Sequence, residues 1–118
     1  MIRIELDEKP VMKSNSYRIG RGGRMYVPKD VKEYDERLSE AARRSMKGLE
    51  VLEGRLKVRI VLTQSDKRRR DLQNLAKGTL DSLNEIVYKD DSQIDVLVME
   101  RIFEKGTWKV VIEVEEIE

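Results

Sequence analysis

The chain contains no cysteine and no histidine. Without cysteine there is no disulfide, no thiol nucleophile and no Cys-ligated zinc. Without histidine there is no Ser-His or Cys-His triad, no usual zinc-hydrolase site and no imidazole general base. Long apolar runs are missing too: nothing approaches the roughly 18–20 consecutive apolar residues of a membrane span. Residues 1–10 alternate charge with aliphatics and hold no apolar signal-peptide core. The expectation is therefore a soluble cytoplasmic protein with no membrane association. What the chain has in quantity is charge, 40% of its residues, with Lys+Arg at 24 against Asp+Glu at 23. A net charge of +1 excludes a uniformly basic DNA coat, so a nucleic-acid surface must come from local clustering. At 118 residues there is room for one domain, 1–118, and one modest core. An enzyme of this composition must work with carboxylates, lysine and arginine, with or without a hard metal ion.

Apolar periodicity lays out the elements. Ile2, Ile4 and Leu6 alternate with Arg3 and Glu5, the period of a half-buried strand closed by Pro10. Residues 11–24 read as a flexible basic loop carrying Lys13, Arg18, Arg21 and Arg24 among Ser, Asn and Gly, followed by a brief strand at 25–27. Pro28 opens a helix predicted from about Lys29 to Leu52, with Gly48 inside its late part and Gly54 in the turn that follows. Leu56, Val58, Ile60 and Leu62 mark the clearest strand. A second amphipathic helix is predicted from an Asp71 N-cap to about Tyr88. Strands over 94–103 and 107–114 then follow, predicted to form a hairpin across Glu104-Lys105-Gly106, with Trp108 on the core face of the last one. The order β-α-β-α-β-β predicts an α+β domain, a small mixed sheet covered by helices.

Charge is concentrated locally. Between Gln64 and Lys77 five basic side chains oppose two acidic ones, while the last six residues carry four glutamates. A basic run at a helix start is where phosphates are met, although a bare Lys67-Arg68-Arg69-Arg70 is also an ordinary solvated loop. Asp71 directly follows the arginines, Lys77 lies six residues on, and Asp90-Asp91 comes after the helix. Taken singly, Asp71 reads as a helix cap and Asp90-Asp91 as a turn. Asp81 reads as an i,i+4 ion pair with Lys77. Asp66 is a loop residue close enough in sequence to serve as a substitute ligand, and Asn74 suits either a first-turn backbone bond or a DNA contact. Tyr17 and Tyr26 flank the basic loop, where they could stack on bases. Over about 25 Å of helix, only tertiary folding can bring Asp90 and Asp91 to Asp71 and Lys77.

The segment Arg68-Arg69-Arg70-Asp71-Leu72-Gln73-Asn74-Leu75, then Lys77, Asp81, Leu83 and Asp90-Asp91-Ser92-Gln93, resembles the RusA-type Holliday-junction resolvases of bacteria and their phages. The family pattern runs approximately RRxDLDNxxK, a D-x-L pair and DDxQ; Asn15-Ser16-Tyr17 and Arg18 match its early region loosely. The resemblance implies a homodimeric, Mg²⁺-dependent endonuclease that cuts four-way DNA junctions by paired symmetric nicks in recombination and repair. By position it implies Asp71, Lys77 and Asp91 as catalytic residues and Asp71, Gln73 and Asp91 as metal ligands, with Asp90 as a further candidate. Lys67, Arg68, Arg69, Arg70, Arg18, Arg21, Arg24 and Asn74 are the DNA-binding candidates. Gln73 stands where the family has an aspartate; its amide oxygen can ligate a hard cation but brings no negative charge.

The residue types agree with that chemistry, since a carboxylate-held Mg²⁺ activates water without histidine. Two alternatives stand beside it: a junction-binding protein whose catalytic site has weakened at Gln73, and a generic nucleic-acid-binding module. A symmetric homodimer is also expected because residues 94–99 are apolar on both strand faces, and two symmetric cuts need two sites about a two-fold axis.

Overall fold

The computed structural model describes residues 1–12, 18–19, 21–23 and 25–118. Tyr17 and Arg24, and the side chains of Arg18 and Arg21, lie outside the described residues, as do any DNA contacts expected of them. Strand β1 (Ile2–Leu6) is followed by a short ribbon of β2 (Arg18–Ile19) and β3 (Met25–Tyr26), with a 3-10 turn between them. Helix α1 (Lys29–Ser45), strand β4 (Arg55–Gln64), helix α2 (Leu72–Ser82), strand β5 (Ile94–Phe103) and strand β6 (Lys109–Ile117) complete the domain. The expected α+β order holds, and the sheet is mixed, in the order β1-β6-β4-β5.

Period-2 alternation decides the two faces of the sheet. Ile4, Val58, Ile60, Leu62, Ile112 and Val114 point to one side, where Tyr34 and Leu38 of α1 and Leu75 and Leu80 of α2 close the core over them. The opposite face carries a row of charges across all four strands. Arg3 reaches Glu113 at 3.7 Å, Arg59 reaches Glu113 at 3.3 Å and Glu100 at 2.8 Å, and Lys109 reaches Glu5 at 2.8 Å. Part of the acidic C-terminal run is thus matched within the sheet, away from the helices.

Three expectations are corrected. Helix α1 ends at Ser45 rather than near Leu52, because the chain turns through Gly48 at φ +79°, a left-handed conformation that glycine adopts without a Cβ penalty. Met46 still reaches the core, whereas Leu49 is exposed. Helix α2 ends at Ser82, not Tyr88; Leu83, Val87 and Tyr88 are buried from a tight turn instead, in which the Tyr88 hydroxyl donates to the Leu80 carbonyl at 2.7 Å. The third concerns the hairpin, which does not form. β5 pairs parallel with β4, and β6 pairs antiparallel with both β4 and β1, so β4 separates the two strands expected to be neighbours. The run Val110, Val111 and Ile112 is buried on both faces, which suits an interior strand, while charged Asp95, Glu100 and Arg101 suit β5 to an edge.

Candidate active site

β4, α2 and β5 form a crossover unit in which the chain leaves one strand, descends a helix and returns parallel to the first strand. Because α2 has only 11 residues, about 16 Å, the return is short. Asp71 begins the helix, its Oδ1 accepting from the backbone N–H groups of Gln73 at 2.9 Å and Asn74 at 3.3 Å. Gln73 and Lys77, four residues apart on one helix face, then border an open cavity of about 370 Å³. Asp91 closes its far side from the 3-10 turn Asp91–Gln93, and Leu72, Leu80, Leu97 and Met99 supply apolar walls. The residues the sequence left separated by a helix, Lys77 and Asp91, therefore face one space. Asp71 does not line that space; it stands at the mouth of the helix as its cap.

Asp81 is the residue that sequence reasoning misplaced. No ion pair joins it to Lys77 among the described residues; it meets Asp91 instead. Partial burial, the hydrogen bond with Asp81 and the negative charges of Asp90 and Asp81 together raise the Asp91 carboxyl above the ordinary aspartate value. The available signal was its position in register with Lys77 on one helix, together with the D-x-L pair. Asp90 is itself occupied, its carboxylate accepting from Ser92 N–H at 3.1 Å, and its pKa is lowered by bonds to Ser92. Nor is Asp66 a substitute ligand: Arg70 binds it through two nitrogens at 2.6 and 3.1 Å, which lowers its pKa.

The basic run divides in two. Lys67, Arg68 and Arg69 are exposed, whereas the Arg70 side chain is 11% exposed. Besides holding Asp66, Arg70 lies over the Trp108 ring at 4.8 Å, with Lys9 at 5.4 Å from the same ring. Trp108 is accordingly half-buried beneath cations rather than in the core. Gln64, fully buried, donates to the carbonyls of Asp66 at 2.8 Å and Arg68 at 2.9 Å, and Arg101 donates to the Arg70 carbonyl. The loop is thus clamped from below, with Arg68 and Arg69 bordering a shallow groove beside Lys9, a cation sequence reasoning had not singled out. Asn74 lines a small void with Tyr34 and Thr79, and Val11 borders both that void and the groove; Tyr26 is exposed.

Among the described residues no three acidic side chains converge on one point. The donors present are nevertheless hard oxygens, namely the Asp91 and Asp81 carboxylates crowded together and the Gln73 amide across the cavity. That set fits a cation such as Mg²⁺, which binds through one or two carboxylates and keeps several waters. A fold of this kind, with a carboxylate pair, a lysine and an adjoining clamped basic loop, has the features of a metal-assisted phosphodiesterase. Residues 7–115 match the family model described as endodeoxyribonuclease RusA, and the chain belongs to that family. It is 30% identical to a crossover junction endodeoxyribonuclease RusA of Aquifex aeolicus (strain VF5), over 96% of this chain and 90% of the relative. A second RusA relative, from Enterobacteria phage HK97, is 32% identical over 69% of this chain and 68% of its own length.

Proposed function

We propose that the chain is a Mg²⁺-dependent endonuclease that resolves four-way DNA junctions by paired symmetric nicks in recombination and repair. The observation that carries this reading is the convergence of Lys77, Gln73 and the crowded Asp91 on one cavity, bordered by a helix entered directly from the loop of exposed Lys67, Arg68 and Arg69. Asp91 and Gln73 would hold the ion from opposite sides, with Asp71 and Asp81 adding negative charge nearby. When bound, Mg²⁺ supplies Lewis acidity and a water of lowered pKa. Lys77 neutralises charge developing on the scissile phosphate or its leaving oxygen. The exposed cations of the loop bind the backbone without reading sequence.

A symmetric homodimer completes the reading. β5 is an edge strand whose Val96, Leu97, Ile102 and Phe103 are exposed, so a second copy has an apolar strand to cover. The test is a labelled four-way junction incubated with Mg²⁺ or with EDTA. Paired nicks in Mg²⁺ alone are expected; cutting that persists in EDTA, or no preference for branched DNA over plain duplex, overturns the proposal. Gln73 favours one second reading, a catalytically weakened junction-binding protein, which predicts a shifted but uncut junction at every Mg²⁺ concentration.

A further inference from the structure

Asp91 lines the cavity with Lys77, and two further carboxylates, Asp81 and Asp90, crowd it. Its place there depends on the 3-10 turn Asp91–Gln93, whose backbone must be held while like charges sit side by side. The restraint is visible two residues on. The Gln93 amide makes three hydrogen bonds: Oε1 accepts from Asp90 N–H at 2.9 Å, and Nε2 donates to the carbonyls of Leu52 at 3.0 Å and Gly54 at 2.9 Å. Leu52 also accepts from Lys89 N–H at 3.3 Å and donates to the Val87 carbonyl at 2.9 Å. The stretch leading into β4 thus grips the chain on both sides of Asp90-Asp91: Glu53 meets Lys89 Nζ at 3.0 Å before the pair, and Gln93 makes the hold after it.

We infer that Gln93 is a positioning residue for Asp91, holding the 3-10 turn against carboxylate repulsion so that Asp91 faces Lys77 and the incoming cation. This rests on the reading of Asp91 as a metal ligand. A neutral amide is the chemistry the position requires. Two carbonyls need donors and one N–H needs an acceptor, and any added negative charge here would strengthen the repulsion being resisted. Glutamate would present oxygen to two carbonyl oxygens, and asparagine is one methylene too short.

The test uses the full chain and three measurements on Gln93→Met, which keeps volume and loses the hydrogen bonds. They are Mn²⁺ affinity without DNA by calorimetry, junction binding in EDTA, and the Mg²⁺ concentration for half-maximal cleavage, read well below the melting temperature. Losing a partner that orients a ligand costs roughly 10–100-fold in metal affinity, so both metal readouts should weaken by about that factor. Junction binding in EDTA should stay at the parental value. Gln93→Glu should be at least as impaired. A Gln93→Met protein that melts earlier yet keeps parental Mn²⁺ affinity and Mg²⁺ half-saturation overturns the inference, because a merely structural role moves only stability. Should Gln93→Met fail to fold, Gln93→Asn reads the same quantities with the same criteria. Asp91→Asn run in parallel separates the two layers: parental Mg²⁺ behaviour there fells the metal-ligand reading itself, whereas a defect there beside a parental Gln93→Met fells the positioning role alone.

Discussion

Gln73 and Asp66 show how much one side chain's chemistry decides at this site. Gln73 lines the cavity at the position where the sequence resemblance implies a carboxylate, and affinity at oxygen sites follows ligand charge. Gln73→Asp should raise cleavage at low Mg²⁺ roughly tenfold or more, corresponding to ~1.4 kcal/mol of transition-state stabilisation, with junction binding unchanged or slightly weaker. An unaltered rate in a Mg²⁺ titration would mean that Asp81 already supplies the charge. Asp66 has a structural part. Its carboxyl lies below the usual value because Arg70 hydrogen-bonds its charged form, so the stability it contributes is present above the unfolded aspartate pKa of 3.8 and is lost as pH falls through the lowered folded value. Thermal melts should therefore find Asp66→Asn less stable than the parent at pH 7. The gap should close as pH falls through the lowered Asp66 value.

At the scale of elements, the N-cap of α2 is where an observed structural role and a proposed catalytic one meet. Asp71 caps the helix through one oxygen, accepting from the N–H groups of Gln73 and Asn74, and we propose that its charge also serves the metal site. Substitution separates the roles, because asparagine caps nearly as well as aspartate while alanine does not. Asp71→Asn should keep the parental melting temperature and lose cleavage, while keeping or tightening junction binding. Asp71→Ala should lose cleavage and also about 1 kcal/mol of stability by denaturant unfolding. Wild-type cutting by Asp71→Asn would remove it from the metal site and leave it a cap. The shortness of α2 matters equally, since the early stop at Ser82 and the buried Leu83 and Tyr88 return Asp91 alongside Lys77 rather than beyond it.

Over the described part of the molecule, charges fall into two kinds of place. On the sheet face Arg3, Glu113, Arg59 and Glu100 pair with one another, whereas Lys67, Arg68 and Arg69 stand exposed on the clamped loop, with Lys9 beside it. Neutralising Lys67, Arg68 and Arg69 together should weaken junction binding and reduce its salt slope by about 0.7–0.9 for each phosphate left without its cation. Arg70→Ala should behave differently, lowering the melting temperature through Asp66 and Trp108 with a smaller change in slope. Sedimentation at micromolar concentration should find twice the 13.8 kDa chain mass, and a 13.8 kDa species would exclude the dimer. No described helix is long and apolar enough to cross a membrane.

Local pattern was enough for the faces of the main strands and helices and for placing Lys77 on the helix that Asp71 caps. Alternation at Leu56, Val58, Ile60 and Leu62 sets a strand face, the three- and four-residue steps of Val31, Tyr34 and Leu38 set a helix face, and Asp71 with Lys77 share one helix whatever the rest of the chain does. These depend on neighbours within a few residues, which the order of amino acids specifies directly. What lay beyond it were pairings across tens of residues. Alternation says that 109–117 is a strand but not that it enters between β1 and β4, because the period is the same beside any partner. The end of α2 turned on whether Leu83, Val87 and Tyr88 found better burial in a turn than on a helix, which is a property of the packed core. The meeting of Asp81 with Asp91, the inward turn of Arg70 onto Trp108 and the grip of Gln93 on Leu52 and Gly54 all follow from that return path. Each joins groups that only the assembled sheet brings within reach.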